Sequence, residues 1–285
     1  MSAESEPTLS EVPAAGLDDE TAIRLLREGQ LEVAGRLIEA TNMTLYCSVR
    51  LGGLSAACVY KPVRGERPLW DFPDGTLAAR EVAAYEVSAA TGWRIVPPTV
   101  YRDGPFGPGM CQLWIDADSE TDLMVLIRSR QPSLRRMAVF DAIVNNADRK
   151  GGHLLPLADG HIYGVDHGVS FAAEDKLRTV LWQWRGKPLS RDAMNVLTRL
   201  ERDLEQGRLG RAPRAPHPRR GRGHLVARAQ APQHRPAPLP PRTGPPFPGP
   251  RSENAPGGTC TLRACARLPS ASIRAPRSPD PRRRA

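Results

Sequence analysis

The chain has 285 residues, enough for one sizeable domain or two small ones, and a formal net charge of +9. From Gln206 onward it carries 17 arginines, no lysine and two acids, Glu253 and Asp280, while the first 205 residues hold 29 acids against 23 bases. The basic balance that would point to a nucleic-acid partner therefore belongs to the tail and is excluded for the folded part.

Residues 1–17 are polar and read as a disordered N-terminus. Asp18 is placed to cap a short helix, Asp19–Glu28, that stops at Gly29. Three strands follow: Leu31–Ile38, then Met43–Leu51 with strict alternation of apolar and polar residues, then Leu54–Tyr60 after the two-residue turn Gly52-Gly53. A Gly-, Pro- and Asp-rich loop over 64–75 leads to an Ala-rich helix, Leu77–Thr91, ended by Gly92. Trp93–Tyr101 and Met110–Ile115 read as strands separated by a turn at Asp103–Gly109. The order β-β-β-α-β-β is an antiparallel sheet with a helix on it.

Beyond residue 116 the character becomes helical. Helices are expected over Asp122–Arg128, Ser133–Asn145 and Ser190–Leu204. Between them lie a polar loop, Asp148–Gly152, and short strands Leu154–Leu157 and Ile162–Val165 around the turn Asp159-Gly160. Helical patterning stops after Leu204. The tail over 206–285 holds 17 of the 29 prolines and one aromatic residue, Phe247, too little apolar surface to offset its ordering entropy. It is expected to be disordered, as a solvated segment, as an Arg-rich binder of nucleic acid or anionic surfaces, or as the product of a frame change near Gly207 in a GC-rich gene. The last is favoured, and it fails if neither other reading frame continues an amphipathic pattern. It also leaves the helical part incomplete, with lower stability or solubility than a chain carrying the in-frame end. Five cysteines without a CxxC pair read as reduced thiols. No apolar run reaches the roughly 20 residues that span a bilayer, and no signal peptide is expected, so the chain reads as cytoplasmic.

Two segments carry chemistry. Lys61 ends the third strand, on the sheet face with Val59 and Ala57. The helix that follows places Glu81 at its centre, with Glu86 the second candidate to orient the lysine. A lysine so held can reach nucleotide phosphates. The second segment is Asp148-Arg149-Lys150-Gly151-Gly152-His153, after a helix and before a hairpin, with Asp166-His167-Gly168 at the hairpin's end. Kinase catalytic loops read D-x-x-x-x-N, and D-F-G follows. Counting back from a two-residue turn at Asp159-Gly160 pairs Leu157 with Ile162, Leu155 with Gly164 and His153 with Asp166. Opposed Cβ atoms lie about 5 Å apart, so the hairpin would bring His153 and Asp166 together. Pro156 is tolerable there only on an edge. His167 reads as a hydrogen-bonded structural histidine, and Trp182 and Trp184 as core rather than groove.

CVYKP (58–62), REVAAYEVS (80–88), VPPT (96–99), QLWI (112–115), IVNNADRKGGH (143–153) and VDHGVSF (165–171) together resemble the phosphatidylinositol 3-/4-kinase-like superfamily over residues 31–204, nearest to type II phosphatidylinositol 4-kinases and an actinobacterial branch. The resemblance implies an α+β, two-lobed protein-kinase-like fold: an antiparallel β N-lobe over 18–116, a mainly helical C-lobe over 117–205 and a disordered tail. It implies ATP between the lobes with Mg²⁺ or Mn²⁺. Lys61 would meet phosphate, Glu81 orient it, Asp148 be the catalytic aspartate and Asp166 hold metal. The backbone of Gln112, Leu113 and Trp114 would hold adenine, and the turn at 39–42, with Thr41 and Asn42, would cover the phosphates. His153 stands where the family has Asn and would favour Mn²⁺ if it binds metal. Lys150 would either stabilise the transferred phosphoryl group or pair with Asp148. The implied activity is an ATP-dependent phosphotransferase whose acceptor is a protein, lipid or small molecule. The alternatives are a nucleotide-binding pseudokinase or nucleotidyl transferase, and a metal-dependent hydrolase using Asp148, His153, Asp166 and His167.

Overall fold

A computed structural model describes residues 10–11, 17–38 and 40–209. The segment from residue 210 onward, with the expectation of a disordered or out-of-frame tail, lies outside the described residues. So does most of the N-terminal stretch, apart from β1 (Ser10–Glu11), which pairs parallel to Leu54-Ser55.

The first helix, α1 (Asp19–Glu28), begins where Asp18 accepts hydrogen bonds from the Thr21 amide and hydroxyl, each at 2.8 Å. It leads into β2 (Gln30–Arg36), β3 (Leu45–Leu51) and β4 (Leu54–Pro62). The expected turn joins the last two: Gly52 and Gly53 both take positive φ, which a two-residue hairpin requires, and Leu51 pairs with Leu54. After α2 (Leu77–Thr91) come β5 (Thr99–Gly104) and β6 (Gly107–Leu113), giving the antiparallel order β2-β3-β4-β6-β5. β6 pairs only with residues 58–62 of β4, which leaves the start of β4 to β1.

The sheet is covered on both faces. Leu45, Cys47, Val49, Ala56, Cys58, Tyr60 and Cys111 turn to one face and pack with Leu25 and Leu26 of α1. The three cysteines are free and buried, as their apolar runs suggested. On the other face Met110, opposite Lys61 in the ladder, packs with Ala78 and Val82 of α2. The N-terminus of α2 is held from a distance: Glu66 accepts from the Leu77 and Ala78 amides at 3.1 and 2.8 Å.

Two strand expectations are corrected. Residues 93–98 are not strand: Pro97 and Pro98 have no N–H for a ladder, and Arg94 sits at φ 52°. The loop between β5 and β6 shrinks to Pro105-Phe106, because Gly104 already pairs with Gly107.

The rest is mainly helical: α3 (Leu123–Arg128), α4 (Pro132–Ile143) and α5 (Arg191–Glu205), with a small hairpin of β7 (Leu154–Pro156) and β8 (Ile162–Gly164). Asp122 and Ser190 cap α3 and α5. Leu134, Met137 and Phe140 of α4 pack with Val196 and Leu200 of α5, and with Trp184. Trp184 is core, whereas Trp182 is 47% exposed: both lie in a 3₁₀ turn, whose period sends them different ways. The α+β architecture expected from the sequence is the one observed. No helix among the described residues is long and apolar enough to cross a membrane.

Candidate functional site

β4 presents Lys61 on the sheet face under α2, and α2 presents Glu81, 1% exposed, directly against it. Lys61 Nζ lies 2.7 Å from Glu81 Oε1 and 3.0 Å from Asp166 Oδ1. The other Glu81 oxygen accepts from the His167 amide at 2.8 Å, so one carboxylate holds both the lysine and the Asp166-His167 segment. Of the two glutamates weighed from sequence, Glu81 makes this contact. Burial opposes the Lys61 charge, but the Glu81 and Asp166 carboxylates outweigh it and hold its pKa above the usual lysine value. The Lys61 ammonium in turn holds the Asp166 carboxyl well below the ordinary carboxylate range.

His153 and Asp166 do meet, with Nε2 to Oδ2 at 3.4 Å, but not by the register counted from sequence. The turn has three residues, Ala158-Asp159-Gly160, with Gly160 at φ 82°. Leu154 therefore pairs with Gly164, Leu155 with Tyr163, and Pro156 with Ile162 at the end of a two-stranded ladder. A one-residue slip reverses which face a side chain takes. Asp166 leaves the ladder at φ 63°, a left-handed conformation uncommon for a residue with a Cβ, and so returns its carboxylate to His153. His153 Nδ1 accepts a long bond, 3.4 Å, from the Lys150 amide, which leaves Nε2–H to face Asp166. Burial lowers the His153 pKa, so the ring is neutral near pH 7.

Asp148 lies on the loop after α4. Its carboxylate oxygens face two cations, Lys150 at 2.7 Å and Arg178 at 2.8 Å. Lys150 thus pairs with Asp148. Arg178 had no signal in the sequence: it is 30 positions away, brought in because its amide and carbonyl bond Asn146 O and the Arg149 amide, each at 2.9 Å. Arg149 does not add charge beside Asp148. Its fully buried guanidinium is clamped on Asp141 of α4 at 2.9–3.2 Å, donates to Val165 O at 2.9 Å and touches His167 Nε2. Asp141 also accepts from Asn146 and Thr179. An arginine can only donate, so His167 Nε2 accepts and the ring is neutral. Burial, then Arg149, hold its pKa well below the ordinary value. A carboxylate within the apolar run Met137–Ile143 was the available sign of this network, since a buried charge requires a partner.

Two amides of the backbone expected to hold adenine are already engaged within the fold. The Leu113 amide donates to Pro98 O at 2.9 Å and the Trp114 amide to Ala57 O at 3.0 Å, while the Gln112 side chain donates to Thr99 Oγ1. The first amide past the sheet without a partner among the described residues is that of Ile115. In the turn at 39–42, Glu39 lies outside the described residues, Thr41 is exposed, and Asn42 Oδ1 accepts from the Arg67 amide at 2.8 Å. Asn42 is therefore tied to the loop after β4. The four-residue metal cluster of the hydrolase reading is not assembled either: Asp148 is held by two cations and His167 turns into Arg149. Among the described residues no three His, Cys, Asp or Glu side chains are grouped to hold a metal.

No family model matches the chain. The crystal structure of the Helicobacter pylori proinflammatory kinase CtkA is similar over 64% of this chain and 83% of that one, at 12% identity and a TM-score of 0.37. Protein Rv2133c of Mycobacterium tuberculosis is 47% identical over 218 residues, covering 64% of this chain and 78% of the relative. At that identity and coverage, the chain belongs to the same family as Protein Rv2133c.

Proposed function

We propose that the chain is an ATP-dependent phosphotransferase of the atypical, phosphatidylinositol 3-/4-kinase-like type. One observation carries the reading: Lys61, at the end of β4, is gripped by Glu81 of α2 and by Asp166, three groups from separate parts of the chain. A phosphate-binding lysine needs a carboxylate to orient it, and a metal-binding aspartate stands beside it. A hydrolase requires no such lysine–glutamate pair.

In this reading Lys61 contacts the nucleotide phosphates and Glu81 fixes its position against the helix. Asp148 accepts the proton of the acceptor hydroxyl as oxygen attacks the γ-phosphorus and the β–γ bridging bond breaks. Lys150 and Arg178 balance the charge that builds there. Asp166, half exposed, would hold Mg²⁺, a hard ion that takes one or two carboxylates together with substrate phosphates and waters and needs no all-protein cage. His153 fits a supporting role better than that of ligand, because its Nε2–H points at Asp166. The ion's part would be to neutralise phosphate charge.

The test is calorimetric titration of ATP into the full chain with Mg²⁺ and then Mn²⁺, alongside K61A, D166A and D148N. Metal-dependent binding should be lost in K61A and D166A. It should survive in D148N, whose ADP release falls at least a hundredfold, within the range for a positioned general base. A folded chain that binds no ATP overturns the proposal. A Mn²⁺ preference abolished by H153A would return His153 to the metal.

A further inference from the structure

A second cleft, of about 580 Å³, opens on the helical part between the starts of α4 and α5 and shares no residue with the Lys61–Asp166 site. Its volume lies within the range of small-molecule sites. The floor is apolar and aromatic: Trp93, Val139, Trp184 and Ala193 are each less than 9% exposed. The walls are cationic, with Arg130, Arg135, Arg136 and Lys187.

The one acid of the lining, Asp192, is already engaged. It accepts from Trp93 Nε1 at 3.1 Å and lies 3.4 Å from Arg136 Nε. Arg135 is held by the Pro188 carbonyl at 2.6 Å, which fixes its position while leaving its charge uncompensated. Arg130 and Lys187 are exposed and have no carboxylate within ion-pair distance among the described residues. Two helices of 12 and 15 residues begin on this cleft, with Pro132 and Ser190 in its lining, and α4 has no side-chain cap. Their positive dipole ends add to the cations. The negative end of α3 is blunted, because Gln183 Nε2 donates to Ile127 O at 2.8 Å. Cationic walls over an apolar, aromatic floor select a ligand with both an anionic group and an apolar body.

We propose that this cleft binds a small organic phosphate, a phosphate ester whose anion meets Arg130, Arg135 and Lys187 while its apolar part lies on Trp93, Trp184 and Val139. The site is separate from the nucleotide site and does not depend on the phosphotransferase reading.

Calorimetry on the full chain, with phenyl phosphate as probe, tests this. Phenyl phosphate should bind one-to-one. Inorganic phosphate and benzyl alcohol, each carrying half of the chemistry, should bind at least tenfold more weakly. The double variant R130E/K187E, at two exposed positions without partners, should lose at least tenfold in phenyl phosphate affinity, with an unchanged thermal midpoint. Its Arg-rich tail is intact, so attraction to the tail would persist in the variant. K61A, altered at the other site, should leave phenyl phosphate binding unaltered. Equal binding by R130E/K187E, loss of binding in K61A, equally tight binding of inorganic phosphate, or no binding would each overturn the proposal.

Discussion

Arg149 and Asp141 are both fully buried, and neither charge could stay in the interior without the other. Removing one partner from such a pair typically costs about 3–5 kcal/mol, because the remaining charge has no counterion. D141A should destabilise the chain by that amount in urea denaturation, and should also free the Asn146 and Thr179 groups that share the carboxylate. A cost under 1 kcal/mol would mean that water replaces Asp141. His167 sets a pH dependence beside it. Its folded pKa is depressed by burial, so below an unfolded value of about 6.5 the unfolded chain binds the additional proton. Stability present at pH 7.5 should therefore decline toward pH 5.5 at up to about 1.4 kcal/mol per unit, with His153 adding in the same direction. H167Q should reduce that slope, and an unchanged slope would assign it elsewhere. Of this residue-level detail, the sequence displayed Lys61, Glu81, Asp148 and Asp166 through their order along the chain. It concealed Arg178 and the destination of Arg149, because both depend on which segments the fold brings together.

At the scale of elements, helices were the most legible. The bounds of α1 and α2 agree with the expected ones to the residue, since capping groups and an apolar stripe are local signals. Strand ends and register were less so. The β7–β8 slip of one residue depends on whether a Gly-containing turn closes over two residues or three, which local sequence leaves open, and the loss of strand at 93–98 follows from two prolines. One glycine governs the ladder beneath Lys61. A Cβ at Gly109 would lie 2.4 Å from the Lys61 carbonyl and 2.7 Å from Pro62 Cα, both backbone atoms that cannot swing aside. G109A should cost roughly 1–3 kcal/mol and weaken ATP binding at the same time, by displacing β4. G160A is the control: it is strained by φ alone, with nothing within 4 Å of the new methyl group, and should leave ATP affinity unchanged. If both variants bind ATP like the parent, the β4–β6 spacing does not position Lys61.

Across the whole molecule, the sheet and helical parts are joined by contacts that converge on one segment. Lys61 and Glu81 hold Asp166 and His167, Arg80 donates to Ser170 O at 2.6 Å and Phe171 O at 3.1 Å, and Lys176 pairs with Asp71 at 2.9 Å. Lys176 Nζ also stands 5.0 Å from the Trp70 ring centroid, under an indole otherwise 94% exposed. Among the described residues, the contacts of the proposed site lie between residues 42 and 179. A chain ending at residue 209 should therefore bind ATP with an affinity within twofold of the full chain at physiological salt, where distant charges of the arginine-rich tail are screened. A larger loss would make the tail part of the site.

The way β6 ends has a consequence for nucleobase selectivity. In the proposed nucleotide site the base would meet the strand joining the lobes, where the amides of Leu113 and Trp114 are already bonded to Pro98 O and Ala57 O. A purine would find its first unclaimed amide at Ile115, one step beyond the ladder. Discrimination between adenine and guanine would then fall on the shape of the space beside Trp114, whose indole is fixed by Asp116 at 2.8 Å and set edge-on to Tyr46. A steric filter of that kind tolerates a change of exocyclic group more readily than a paired set of hydrogen bonds does.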